Sequence, residues 1–242
     1  MGQQKGKYGA LSDQERLFLS VADSVNHIFL QIRQTSELAT TVPNKKQHQR
    51  WGSIYDLSSS SLHLLESYAM TIRLHGGSMH PEIVPVALTA LLQETAHVLE
   101  PYAKQYGVQV ELDLPTKLSP VLSDGAILKS ALVSLGQVFV LSQAEREQPQ
   151  PIRMSAHKGR YGVITGMYAE GADLTSGALR RARMLHGNAT QPLSELVGGA
   201  AGGILVADTL LQSLSSKLHI ARYHKVAGLA ATLPACHQLQ FV

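Results

Sequence analysis

The run Gly198-Gly199-Ala200-Ala201-Gly202-Gly203 constrains this chain more than any other stretch. An apolar pattern with helical spacing follows at once, through Ile204, Leu205, Val206, Leu210 and Leu211. Lys217–Ala221 and Gly228–Leu233 then read as two short strands joined by a turn, with Pro234 closing the second. Glycines in this position let the backbone approach a phosphate at a helix N-terminus, where free N–H groups point outward. The same glycines also suit a flexible loop leading into a core helix. Spacing alone favours the loop.

Composition narrows the classes. The chain has 242 residues, 44% hydrophobic and 16% charged, enough for one or two domains with a real core. The net charge of +3 is spread out, with no basic run longer than Lys45-Lys46 or Arg180-Arg181, so no nucleic-acid partner is expected. Arg180, Arg181 and Arg183 read as a solvated face or a contact for an acidic partner. Cys236 is alone, which rules out a disulfide within the chain and fits a cytoplasmic protein. No apolar run approaches the roughly 18 residues of a membrane span, and no signal peptide is visible, so no membrane is expected. The eleven histidines include the pairs His75/His80 and His219/His224, but none has zinc-site spacing, and no metal is expected.

In chain order, residues 1–10 read as a flexible N-terminus. Ser12 to Glu15 offers a capping box, and Leu17, Val21, Val25, Ile28 and Ile32 continue with helical spacing to about Thr41. A second helix spans about Gln47–Leu74, and Gly76-Gly77 ends it. One hairpin of two helices cannot bury both of its faces, so a four-helix bundle in a dimer is the natural solution for 11–78. From residue 79 the pattern becomes α+β. The expected order is a strand at Glu82–Val86, a helix at Leu88–Tyr106, a strand at Val108–Leu112 and an extended piece at Pro120–Ser123. Asp124 then caps a helix over Ala126–Ala144, and a hairpin joins Pro151–His157 to Tyr161–Met167. A short basic helix over Ser176–Leu185 precedes the glycine run.

This order of elements resembles the ATP-binding domain of sensor histidine kinases, within the wider gyrase, Hsp90 and MutL family. The residues carrying the resemblance are Pro101-Tyr102-Ala103, Gly107 to Val110, Leu114-Pro115, Asp124 with Leu128 and Leu132, the glycine run, and Gly228 to Pro234. The resemblance implies an antiparallel helical hairpin at 11–78 and a histidine kinase-like α/β sandwich at 79–242, with helices on one face of a mixed sheet.

It also implies where catalytic residues should stand. The family uses an Asn to hold the magnesium on the phosphates, and Val138 occupies that register. The family's Asp-x-Gly-x-Gly box, whose Asp accepts from the adenine amino group, matches Ala169-Glu170-Gly171-Ala172-Asp173. Ala169 replaces the Asp, with Glu170 as the one-residue alternative. Only a relic pocket is therefore expected, from Glu170, Gly171, Gly198, Gly199, Gly202 and Gly203, with ATP and Mg²⁺ not expected to bind. The family's phosphoacceptor register falls on Ala22 or Asp23, leaving His27 as a weak candidate acceptor. The resulting expectation is a catalytically degenerate, dimeric scaffold or regulator that binds a protein such as a response regulator or a kinase. The alternatives are a histidine phosphotransferase using a hairpin histidine, His27 or His63, and an atypical ATP-binding kinase. Neither histidine has an acid beside it in sequence.

Overall fold

The computed structural model describes residues 79–171 and 200–236 continuously, with scattered positions between 25 and 74 and at 177, 179 and 180. Its elements are β1 (Val84–Val86), α1 (Leu88–Gln105), β2 (Val110–Asp113), β3 (Val121–Ser123), α2 (Gly125–Ala144), β4 (Ile152–Gly159), β5 (Gly162–Tyr168), α3 (Ala200–Ser213), β6 (His219–Tyr223) and β7 (Val226–Leu233). Among the described residues, each expected strand and helix is present within a few residues of its expected ends. The basic helix at 176–185 falls almost wholly outside them, as do the two ends of the hairpin.

A five-stranded sheet runs β2-β4-β5-β7-β6, parallel between β2 and β4 and antiparallel elsewhere. Strand alternation gives it two unlike faces. Ile152, Met154, Ala156, Val163, Met167, Leu229, Ala231 and Leu233 belong to the core that the helices cover. Glu111, Asp113, Arg153, Ser155, His157, Tyr168 and Tyr223 occupy the alternate positions, on the outer face. A smaller sheet pairs β1 with β3, and Val121 bridges to Ala235 to join it to the end of β7.

The helices follow from their sequences. On α1, Leu88, Leu91, Leu92, Thr95, Leu99, Tyr102 and Ala103 recur at helical spacing and are buried, and the helix runs on through Pro101. Asp124 caps α2 as its sequence foretells: Oδ1 accepts from the amides of Ala126 and Ile127 at 3.0 and 3.1 Å. Its Oδ2 accepts from the Glu82 amide at 3.0 Å, which ties the chain before β1 to the start of α2.

One sequence expectation needs correction. At 20 residues, α2 is long and apolar enough by composition to cross a membrane, although no such run was expected. Lys129, Ser134 and Gln137 break the run when it is read residue by residue. The helix is apolar nearly all round because it lies at the centre of the fold, mostly buried. The hairpin stripe is also partly covered within one chain. Ile28 and Tyr68 are buried, Val25, Leu64, Met70 and Leu74 pack against the same core, and the Tyr106 hydroxyl donates to Gln31 Oε1 at 3.1 Å.

Candidate functional site

The expected nucleotide site would be framed by α2, the loop after β5 and the start of α3. Helix α2 packs on both neighbours through glycines. A Cβ on Gly136 would collide with Leu99 Cδ1 of α1, and one on Gly203 would collide with Val138 Cγ2. The carbonyl of Ser134 lies 3.3 Å from that same point at Gly203. Val138 is buried, and its side chain seats against the bare backbone of α3. Gly202 and Gly203 stand inside the first turn of α3, and Gly203 admits the close approach of a neighbouring helix. Gly198, Gly199, Asp173 and His27 lie outside the described residues.

The loop after β5 is held from the end of α2. Gln143 is fully buried; its Nε2 donates to the Glu170 carbonyl at 3.2 Å, and its Oε1 accepts from the Gln150 amide at 3.1 Å. Arg146 donates a second bond to the Glu170 carbonyl at 2.8 Å. Gly171 takes φ +61°, and a Cβ there would strike the Arg146 guanidinium. Glu170 is exposed, and these contacts use its backbone. Ala169 is buried in the core, and its amide donates to the Ala227 carbonyl at 3.3 Å. The structure thus brings Ala169, Glu170 and Gly171 together as one clamped loop, and Val138 and Gly203 as one helix contact.

In the register that the resemblance implies, Val138 and Ala169 stand where ATP with magnesium would be held. Magnesium takes oxygen ligands in a near-octahedral set, and Val138 has none. Adenine recognition through its amino group needs an acceptor, and Ala169 offers only a methyl. Gln137, beside Val138, is buried rather than turned toward an open face. Among the described residues no group of three or more His, Cys, Asp and Glu is placed to hold a metal ion, and Cys236 is a buried free thiol. Asp208 is also buried, and its Oδ1 accepts from the Leu218 amide at 2.9 Å, fixing the turn that leads into β6.

A different pair was missed in the sequence. His63 Nδ1 lies 3.7 Å from Glu66 Oε2, with side chains 43% and 74% exposed. Residues three apart on a helix are neighbours on its surface, so the signal was present in the spacing rather than in adjacency. The Ser67 hydroxyl donates to the His63 carbonyl at 2.8 Å, on the same turn.

No protein-family model matches the sequence, and no curated protein sequence matches it. Solved structures do. The Acinetobacter baumannii histidine kinase AdeS is similar with a TM-score of 0.53 and 13% identity, over 95% of this chain and 100% of that one. ShkA, solved full-length in complex with AMPPNP, is similar with a TM-score of 0.52 and 14% identity. That match covers 93% of this chain and 47% of ShkA. The mixed five-stranded sheet with its helical layer is the histidine kinase-like ATPase fold.

Proposed function

We propose that this chain is a kinase-like signalling protein that has the ATPase fold without its nucleotide chemistry, and that it acts as a dimeric scaffold or regulator by binding another protein. The partner class we propose is a response regulator or a kinase, met in the cytoplasm. The observation that carries the reading is the contact between Val138 and Gly203. It puts a methyl group against bare backbone where the resemblance calls for an oxygen donor to magnesium. Phosphoryl transfer depends almost wholly on positioning and charge stabilisation, and the residues in this register supply neither. Isothermal titration with ATP and Mg²⁺ tests it. No saturable heat is expected up to about millimolar ligand, a regime worth about −4 kcal/mol. Micromolar binding with a carboxylate on the adenine would restore the kinase reading.

A second reading has one observation in its favour. His63 is half-exposed and has Glu66 at 3.7 Å, a carboxylate whose charge favours the imidazole with Nδ1 toward it and the Nε2 lone pair outward. In that reading Nε2 takes a phosphoryl group from an acyl phosphate of a partner, the partner's carboxylate leaves, and Nδ1 keeps its proton, the ring's positive charge facing Glu66. Incubation with phosphorylated response regulators tests it. Label appearing on the chain and lost in His63→Gln would favour phosphotransfer over the scaffold, whereas response regulators that keep their label leave the scaffold as the reading.

A further inference from the structure

The outer face of the sheet carries a cluster that the nucleotide fold does not require. The β6–β7 turn is a two-residue loop, since Tyr223 pairs with Val226 across it. Both loop residues are left-handed, His224 at φ +46° and Lys225 at φ +68°. This is the geometry of a type I′ turn, for which Asn-Gly is the favoured pair. Bulky residues there cost free energy and persist only where the surroundings hold them.

The surroundings are rings. The Tyr223 ring stacks on His157 of β4, with centroids 5.2 Å apart and 22° between planes. It also meets Tyr168 of β5 at 5.4 Å and the edge of His224 at 4.3 Å. His224 Nε2 reaches Asp113 Oδ2 of β2 at 3.6 Å. The tip of the hairpin therefore folds back over the outer face as far as β2. Beneath it, Ser155 Oγ, Tyr168 OH and His157 Nδ1 are buried with no hydrogen-bond partner of good geometry among the described residues.

Such a site tolerates a neutral imidazole and resists a charged one. The His157 ring is half-buried, but its Nδ1 is fully covered, and protonation would put an N–H there with no acceptor among the described residues. Burial accordingly lowers the His157 pKa, and raises that of the Tyr168 phenol. Each element packed here adds its own groups. β2 brings Glu111 and Asp113, β4 brings Arg153, β5 brings Tyr168, and the β6–β7 turn brings Tyr223, His224 and Lys225. Glu111 is already engaged by Arg153 at 3.0 Å. The Tyr223 face attracts a cation, and a protonated His224 would hold Asp113; both oppose opening. The His224–Asp113 pair is solvent-exposed at 65% and 44%, so its contribution is small.

We propose that the His157–Tyr223 stack is a pH-operated latch, closed while His157 is neutral and opened by its protonation. Opening frees the β6–β7 turn from the outer face. It also loosens the loop after β5, because the Ala227 carbonyl just past the turn accepts the Ala169 amide. The sign follows from the lowered pKa. The stabilisation is fully present above the unfolded imidazole value, near 6.5, and is lost as pH falls from there to the folded value.

Hydrogen exchange on the full chain, read amide by amide between about pH 7.5 and pH 5.5 and corrected for intrinsic rates, tests the latch. Protection of Tyr223, Ala227 and Ala169 should fall by up to about tenfold for each pH unit between the free and folded pKa. His157→Phe keeps a stacked ring and removes the proton, so its protection should no longer fall as the pH is lowered. Protection at these amides that is independent of pH, or an unchanged pH dependence in His157→Phe, would overturn the latch. Should His157→Phe fail to fold, the His157 ring signal decides in the unmodified chain. Titration below the ordinary histidine range supports the latch, and titration within that range overturns it.

Discussion

Gly203 and Val138 make one contact between them, and each can be read through the other. Adding a methyl at Gly203 forces Val138 aside, and overpacking of this kind costs about 1–3 kcal/mol. Gly203→Ala should lower the unfolding free energy measured by urea titration by that amount, and Val138→Ala in the same chain should recover part of it. Loss of the rescue would mean the two residues do not share a space. Asp124→Ala should cost about 1–2 kcal/mol in the same assay, because it removes the cap on Ala126 and Ile127 and also the partner of Glu82. The cap was legible in the sequence because a cap is local, set by Asp124 and the two amides that follow it. The Gly203 contact was not. Glycine at a helix start reads equally as a phosphate cradle, a hinge or a packing notch. Only the arrival of α2 from 65 positions away (203 − 138) decides between them.

The elements were legible almost throughout, since α1 and the strands carry their periods plainly. The faces were harder. Which side of β4 meets the helices depends on register with β2 and β5, and register is a property of the sheet rather than of one strand. The loop after β5 shows the same limit. In sequence, Glu170 is the carboxylate beside the adenine position, but its neighbourhood is set by Gln143 and Arg146 at the far end of α2. Gln143→Leu should therefore destabilise the chain by about 1–3 kcal/mol, because the Gln150 amide loses its acceptor and Glu170 loses one of two donors. Chemical unfolding with a tryptophan or circular-dichroism readout would check it. A change below about 0.5 kcal/mol, the range of an ordinary surface substitution, would show that Arg146 clamps the loop alone.

At the scale of the whole molecule, the hairpin and the sandwich share a core, yet the stripe of two long helices is expected to need a second copy to cover the rest. Light scattering should give about twice the 26.2 kDa of one chain. A monomer at tens of micromolar would leave the scaffold reading without its bundle. The central position of α2 also bears on how the chain comes to be folded at all. During synthesis α2 emerges as a 20-residue apolar helix with the composition of a membrane span. Its Val138 face stays uncovered until Gly203 has been made, 65 residues later (203 − 138). At roughly 5–20 residues per second, that is an interval of several seconds in which the nascent chain presents an uncovered apolar helix to the cell. Chains stalled before residue 200 should accordingly be held by chaperones or carried to membranes, and chains released at full length should not.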